Sequence, residues 1–224
     1  MGKAIEVIAQ NREHKIVAKI DKDNPNDSIA HADVAINFSV PSAATQNITA
    51  AIAQGIPVVC GTTGWLEHKR DIEVLCQEKK GAFLYASNFS LGVNIFFALN
   101  EKLAQIMAPH HQYDTAIEEI HHTEKLDAPS GTAISLAESI LPYTKHANWK
   151  LADEAAVGDL PIFAKREPHV PGTHTVTYNS PTDSISMEHI AHNRDGFALG
   201  AVLAAEWIVG KSGIFTMRDV LDIN

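Results

Sequence analysis

The chain has 224 residues, 45% of them hydrophobic and 20% charged, and its formal net charge is −9. This length and composition predict a globular protein with one large or two small domains. The negative charge argues against nucleic acid as a partner, and no apolar run approaches the ~18 residues that a membrane span requires.

The cysteines and the first residues indicate a cellular compartment. Cys60 and Cys76 do not form a CxxC pair, which favours a reduced protein with both thiols in its core. The start of the sequence lacks the apolar core and the cleavage site of a signal peptide. We therefore expect a cytoplasmic protein without a membrane partner.

Strands and helices alternate in the first part of the chain. Residues 3–10 (KAIEVIAQ) are typical of a helix, and residues 15–21 (KIVAKID) and 33–39 (DVAINFS) of short strands. Residues 40–55 predict a helix that Ser39 caps.

The alternation continues with a strand at 56–61 (IPVVCG), an amphipathic helix at 66–81 and a strand at 82–90 (AFLYASNFS). Strands that alternate with helices predict a parallel sheet covered on both faces.

The pattern changes near Gly92. A long helix, a strand and a second helix are followed by successive strands without helices between them, which predict an α+β domain with a mainly antiparallel sheet. A last helix follows. These elements are predicted at residues 92–108, 113–122, 130–141, 159–167, 173–180, 184–192 and 195–210. We expect one domain of residues 1–89 and 195–224, and another of residues 90–194.

The first domain has the pattern of a Rossmann-like dinucleotide-binding sheet, which normally opens with a strand and a glycine-rich turn. Here Gly2 stands directly before the first helix, so we expect that strand and most of that turn to be missing. Asp21 follows Gly2 by 19 residues, near the ~20 expected for a ribose-binding acid. The adjacent Lys22 could meet a 2′-phosphate, and an exposed turn is the alternative for both residues.

Two further segments lie where parallel sheets bind ligands, at the carboxyl ends of predicted strands. The first is "CGTTGW", which contains Gly61, Thr62 and Thr63, and the second is "YASNFSLG" at 85–92. An ordinary strand-to-helix turn is the alternative for the first segment, and an inter-domain hinge for the second.

The segment "DAPSGTA" leads directly into a predicted helix. Its simplest interpretation is a helix start with Ser130 as the N-cap. The backbone N–H groups of Ser130, Gly131 and Thr132 could also bind an anion together, because the helix dipole favours negative charge there.

Two histidines and a lysine precede this helix. Neighbouring strand residues point to opposite faces, so one of His121 and His122 could face a cleft. We expect no metal, because no further Cys, His or carboxylate lies at ligand spacing along the sequence. A serine nucleophile is an alternative, but "APSGT" does not have the GxSxG pattern.

The sequence resembles the 4-hydroxy-tetrahydrodipicolinate reductase (dihydrodipicolinate reductase) family along almost its whole length. The resemblance rests on the strings "EIHHTEKLDAPSGTA", "CGTTGW", "ASNFSLGVN", "PGTHTV" and "GIFTMRDVL". It implies a nicotinamide-binding Rossmann domain at 1–89 and 195–224, and a substrate-binding domain at 90–194 that builds a homotetramer.

The resemblance also implies roles for individual residues. His121 matches a proton donor and acceptor, Lys125 a second proton donor, and His122 a substrate contact. Gly131 and Thr132 match the carboxylate site, and Ser130 is added to the predicted substrate-binding residues from the helix start. The residues that match cofactor contacts are Asp21, Gly61, Thr62, Thr63, Ala86, Ser87, Asn88 and Phe89.

The implied reaction reduces a cyclic hydroxy-dicarboxylate with NADH or NADPH, and imidazole and ammonium groups suit its proton transfers. Because the glycine-rich turn is expected to be missing, weak cofactor binding and poor turnover are expected as well. A non-catalytic carboxylate-binding or assembly protein of the same fold is the alternative. We also expect Arg194 to add positive charge near the substrate or the domain joint.

Overall fold

A computed structural model describes residues 1–21, 24 and 27–223. The chain divides into two compact units. The first unit comprises Met1–Asn94 with Asp195–Asn224, and the second comprises Ile95–Arg194.

Seven helices and nine strands follow one another among the described residues. In chain order, the helices are α1 Gly2–Asn11, α2 Pro41–Ala53, α3 Lys69–Glu78, α4 Leu91–Met107, α5 Gly131–Ile140, α6 Asp195–Ile208 and α7 Met217–Val220. The strands are β1 Ala35–Asn37, β2 Val58–Cys60, β3 Ala82–Tyr85, β4 Asp114–His121, β5 Asn148–Leu151, β6 Asp159–Arg166, β7 Gly172–Asn179, β8 Ser184–Ala191 and β9 Gly213–Phe215.

The first unit is built on a parallel sheet with the order β1-β2-β3-β9. Alternate strand residues enter two different apolar cores. Val59 and Leu84 pack in a core with residues of α1 and α6, whereas Val58 and Phe83 pack in a core with residues of α2 and α3. The predicted parallel sheet with both faces covered is thus confirmed.

The second unit is built on a five-stranded sheet with the order β5-β6-β4-β7-β8. Strand β7 pairs antiparallel with β4 and β8, while β6 pairs parallel with β4 and β5. The sheet is therefore mixed, since the crossover through α5 brings the chain back parallel to β4. Residues of α5 pack with Ile117, Ile162 and Val176 in the core of this unit.

Two local predictions are wrong. Residues 15–21 form no strand, because no neighbouring strand among the described residues pairs with them; Lys19 instead donates its backbone N–H to Asp27. Helix α2 begins one residue later than predicted, with Val40 rather than Ser39 as its N-cap. The Ser39 N–H donates a hydrogen bond to the hydroxyl oxygen of Thr62 at 2.9 Å.

None of the helices in the described part of the chain is long and apolar enough to cross a membrane.

Helix α6 passes very close to the backbone at the end of the 86–90 loop, and this closeness generates a stability prediction. A Cβ atom at Gly200 would lie 1.7 Å from the carbonyl oxygen of Phe89, whereas one at Gly196 of the same helix would lie 3.8 Å from its nearest neighbour, Ser90 Oγ. We expect Gly200→Ala to lower the free energy of unfolding by roughly 3 kcal/mol, since a backbone carbonyl cannot move aside cheaply.

The matched control is Gly196→Ala, which we expect to change the free energy of unfolding by less than about 1 kcal/mol, because it meets only ordinary contact and gains helix propensity. Urea unfolding of both variants measures the difference. Equal stability of the two variants would contradict the close approach.

Candidate active site

The candidate site of the second unit is organised around a buried carboxylate on β4. Strand β4 alternates, so that Ile117, Glu119 and His121 all point to the covered face of the sheet. Glu119 is 0% exposed. Its Oε2 lies 2.9 Å from His121 Nδ1, and neither of these two atoms has another hydrogen-bond partner in the described ranges.

The environment of Glu119 keeps it ionised. Burial raises the pKa of Glu119, but hydrogen bonds from His121 and Ser130 outweigh burial and lower this pKa to about 2. An ionised carboxylate only accepts hydrogen bonds, so the facing Nδ1 of His121 carries the proton. The Nε2 atom of His121 is then the one that can exchange a proton with a ligand.

Gly172 leaves room for that nitrogen. A Cβ atom at Gly172 would lie 3.0 Å from His121 Nε2, which is tighter than normal packing. The glycine in "PGTHTV" therefore keeps the reactive edge of the imidazole uncovered.

The register of β4 with β7 adds a second histidine. Glu119 lies opposite His174, and His174 Nε2 is 3.9 Å from Glu119 Oε2 and 3.1 Å from Ser130 Oγ. Burial and the neighbouring His121 lower the pKa of His174 to about 4. His174 is consequently neutral at pH 7.

The sequence predicts no metal because no further ligand residue stands at ligand spacing along the chain, but this pairing brings two such residues to His121 in space. Ligand atoms of Glu119, His121 and His174 lie within 4.8 Å of one another, and strand pairing brings them together across a distance that sequence spacing does not reveal. The Arg166 guanidinium lies 3.4 Å from Glu119 Oε1 and already balances the carboxylate charge. That charge balance favours a hydrogen-bonded cluster over a cation site.

Arg166, at the end of β6, ties the cluster to the loop that follows β4. Its Nη2 donates to the carbonyl oxygen of Asp127 at 2.6 Å, and its Nε to that of Lys125 at 3.3 Å. One guanidinium thus contacts both the buried carboxylate and the backbone that carries Lys125.

The Lys125 side chain is largely covered, with 21% of it exposed. Its Nζ donates to both carboxylate oxygens of Asp127 at 2.8 Å, which lowers the pKa of Asp127. His122 lies just beyond β4, and its Nδ1 is 3.0 Å from the exposed carboxylate of Glu124. The predicted substrate contact His122 and the predicted proton donor Lys125 therefore lie in the loop that directly follows His121.

The predicted N-cap role of Ser130 at the start of α5 is confirmed, but its N–H does not join those of Gly131 and Thr132 in the predicted anion cradle. Ser130 is the N-cap and accepts the Ala133 N–H. Its own N–H is not free, because it donates to Glu119 Oε1 at 3.0 Å. Within the described residues, the N–H groups of Gly131 and Thr132 meet no acceptor, as expected for the first turn of a helix. Two N–H groups, not three, can receive an anion.

The first unit places "CGTTGW" at the carboxyl end of β2. A Cβ atom at Gly61 would lie 2.3 Å from the ring of Phe38, so the packing of that ring requires a glycine there. Thr62 is buried, accepting the Ser39 N–H and presenting its carbonyl oxygen to the Trp65 indole at 2.7 Å. Thr63 is exposed.

The segment after β3 lies on the neighbouring strand. Ala86 donates its N–H to the Cys60 carbonyl, Ser87 is exposed, and Asn88 Oδ1 accepts the Ser90 N–H. Phe89 is 2% exposed and packs on Phe38 with ring centroids 5.4 Å apart. Its side chain therefore supports the edge from within the core.

This donor set suits the nicotinamide and ribose part of a dinucleotide. The hydroxyls of Thr63 and Ser87 are exposed at the carboxyl ends of adjacent parallel strands, where such sheets bind ligands. The residues present at this edge therefore fit the group that the sequence predicts.

Two other predicted residues lie outside these clusters. The carboxylate of Asp21 is exposed and accepts the Asn24 N–H at 3.0 Å, and its predicted cofactor contact stays a prediction. Lys22 lies outside the described residues. Arg194 is exposed and ends the second unit, so its predicted role stays a prediction.

Glu119, Arg166 and His174 were not predicted from the sequence as site residues. The burial of Glu119 could have been predicted, because a carboxylate that alternates with Ile117 and His121 falls on the buried face of the strand. Arg166 and His174 give no local signal, since only the pairing of β6 and β7 with β4 brings them to the cluster.

The low pKa of His174 generates a prediction about acid stability. Its folded-state pKa of about 4 lies below the ordinary value of 6.5, so between these values the unfolded chain binds a proton that the folded chain does not. This stability is complete above pH 6.5 and is lost as the pH falls to about 4, by on the order of 3 kcal/mol. The charged or titratable neighbours are Glu119, His121, Lys125 and His189.

We expect His174→Gln to flatten the dependence of unfolding free energy on pH between 6.5 and 4, measured by urea unfolding. The exposed His111 provides the control, because His111→Gln should leave the slope intact. An unchanged slope in His174→Gln would contradict the assignment.

Comparison with known proteins identifies the family. Residues 1–89 match the family model "Dihydrodipicolinate reductase, N-terminus", and residues 92–221 match "Dihydrodipicolinate reductase, C-terminus". The 4-hydroxy-tetrahydrodipicolinate reductase of Christiangramia forsetii is 56% identical over 99% of this chain and 93% of its own length. That of Alkaliphilus metalliredigens is 34% identical over 100% and 95%.

A solved structure shows the same fold. The dipicolinate-bound dihydrodipicolinate reductase from Paenisporosarcina sp. TG-14 is 21% identical, covers 96% of this chain with 92% of its own, and superposes with a TM-score of 0.71. Both halves of the sequence and the fold agree, and the chain belongs to the 4-hydroxy-tetrahydrodipicolinate reductase family.

Proposed function

We propose that the chain reduces 4-hydroxy-tetrahydrodipicolinate to tetrahydrodipicolinate, a step of lysine and diaminopimelate biosynthesis. The observation that carries this proposal is the arrangement around Glu119. One carboxylate holds both the proton-bearing His121 and the cap of α5, whose free Gly131 and Thr132 N–H groups suit a substrate carboxylate. The names of the relatives point to the same substrate, and dipicolinate, which the Paenisporosarcina enzyme binds, is a cyclic dicarboxylate of the same class.

The residues of the second unit would act in sequence on this substrate. The N–H groups of Gly131 and Thr132 hold one carboxylate and fix the ring. His121 Nε2 takes a proton from the ring carbon beside the one that bears the hydroxyl, while the Lys125 ammonium donates to that hydroxyl, which leaves as water; a conjugated imine results. The imidazolium of His121, stabilised at Nδ1 by ionised Glu119, then gives the Nε2 proton to the reduced ring.

A nicotinamide cofactor supplies the hydride when it is bound. We propose that the first unit binds this cofactor through Thr63, Ser87 and Asn88, with Gly61, Thr62, Ala86 and Phe89 shaping the edge. Both NADH and NADPH are proposed to serve, because Asp21 suits a ribose diol and Lys22 suits a 2′-phosphate.

We also propose a homotetramer, built through the face of the second unit's sheet that lies away from α5. Phe163 and Ile190 are exposed there, at 46% and 53%. On this face they accompany polar residues such as Thr175 and Glu188, which pair across β7 and β8. Light scattering should give four times the mass of one chain, and Phe163→Glu should lower it; a monomer in the wild type would contradict the proposal.

The proposed role of His121 predicts a large loss of turnover. We expect His121→Gln to lower kcat by about 10²- to 10⁴-fold, the usual contribution of a general acid, with a small change in affinity for dipicolinate. The control is His111→Gln, near the other end of β4, which should retain wild-type rates. Oxidation of NADH and of NADPH, followed by absorbance in the presence of substrate, measures these rates.

Two outcomes would contradict the proposal. Wild-type rates in His121→Gln would remove His121 from the reaction. A wild-type chain that binds dipicolinate but oxidises neither cofactor would favour the non-catalytic carboxylate-binding alternative.

A further inference from the structure

We propose that Glu119 and Arg166 form a positioning pair that holds both proposed proton donors, His121 and Lys125, in place. Glu119 fixes the tautomer and orientation of His121, and Arg166 fixes the loop that carries Lys125. This inference rests on the proposed function for its kinetic consequences, but the geometry that it assigns can be measured without turnover.

Both carboxylate oxygens of Glu119 have polar partners. Its Oε1 accepts the Ser130 N–H at 3.0 Å and lies 3.4 Å from both terminal nitrogens of Arg166. Its Oε2 faces His121 Nδ1 at 2.9 Å. The two carboxylate oxygens therefore act differently, because Oε1 balances charge and anchors the helix cap while Oε2 holds the imidazole.

Arg166 lies directly opposite His121 in the parallel pairing of β4 and β6. Its Nε and Nη2 donate to the carbonyl oxygens of Lys125 and Asp127, and its Nη1 donates to that of Lys165 at 2.7 Å. A planar fork with several donors satisfies these acceptors and the carboxylate at the same time, which a lysine cannot do.

The pair couples His121 to Lys125 because the same ion pair contacts both. Loss of the Glu119 charge frees the imidazole and leaves a partly buried guanidinium without its counter-charge. Loss of the Arg166 guanidinium removes the hydrogen bonds to the loop carbonyls of Lys125 and Asp127, and it leaves the buried Glu119 carboxylate without its cation. Each single change is thus expected to disturb both donors, and the two changes should not be additive.

The amide variant Glu119→Gln makes a specific prediction. The amide oxygen must remain on the side of Ser130 N–H and Arg166, because both are donors. The amide NH2 group then faces His121 Nδ1 and donates to it, so the imidazole proton moves to Nε2. A carboxylate is replaced by a group of the same shape that imposes the opposite tautomer.

We expect Glu119→Gln to lower kcat by about 10²-fold or more, the scale seen when a catalytic histidine loses its orienting carboxylate, with KM and dipicolinate affinity changed less than about threefold. The ¹⁵N chemical shifts of His121 should move from the Nδ1–H to the Nε2–H pattern. Glu119→Asp should keep the Nδ1–H pattern and recover part of kcat. Arg166→Lys should lower kcat about tenfold, and the double variant should lose less than the product of the two single losses.

The matched control is the Glu118–Lys165 ion pair, which joins the same two strands on the opposite face at 2.5 Å and is partly exposed. Because this is the face proposed for assembly, light scattering first checks that Glu118→Gln and Lys165→Met keep the wild-type mass; such samples should retain the wild-type kcat and His121 tautomer. Circular dichroism checks folding, and if Glu119→Gln does not fold, Arg166→Lys and Glu119→Asp carry the test.

The inference is overturned if the folded variants keep both the wild-type kcat and the wild-type His121 tautomer, or if the control variants lose as much as the test variants. If the wild type shows no reductase activity at all, the proposed function fails. The tautomer measurement then still decides whether Glu119 positions His121.

Discussion

The second unit depends on the burial of a single negative charge, that of Glu119. Removing a carboxylate from water costs several kcal/mol unless charges and hydrogen-bond donors compensate it. Here a guanidinium, a backbone N–H and an imidazole N–H converge on the two oxygens. Those three donors come from β6, from the cap of α5 and from β4. The solvation of one charge therefore requires three elements to meet at one point, and that point is where the proposed chemistry occurs.

This requirement explains why some residues of the motif "HHTEKLDAPSGTA" stabilise the fold and others are available for chemistry. Ser130 is buried and is used entirely for support, as N-cap, as donor to Glu119 and as neighbour of His174. The N–H groups proposed to hold a substrate carboxylate are those of the next two residues. A similar division applies to "CGTTGW", where Gly61 makes room for Phe38 and Thr62 holds the end of β1 to β2, while Thr63 is exposed. In both motifs, part of the string builds the edge of the site and part of it is the proposed ligand contact.

The elements that could be predicted from the sequence are those with a local cause. The alternating pattern of β4, the proline start of α2 and the cap of α5 all depend on a few neighbouring residues. The failures have non-local causes. Residues 15–21 have strand composition but no pairing partner among the described residues. The short strands β5 and β9 gain their hydrogen bonds only from β6 and β3. His174 and Arg166 reach the site through pairings of distant segments, which no spacing along the chain encodes.

The Lys125–Asp127 contact shows how the loop is held before substrate arrives. Lys125 Nζ donates to both oxygens of Asp127, which is the pattern that a substrate carboxylate would offer. Asp127 is more than half exposed, so its side chain can leave this contact at low cost. The backbone of the loop cannot, because Arg166 holds the carbonyl oxygens of residues 125 and 127. The ammonium can therefore exchange partners while the backbone that carries it stays in place, and this combination suits the proton donor proposed for an incoming dicarboxylate.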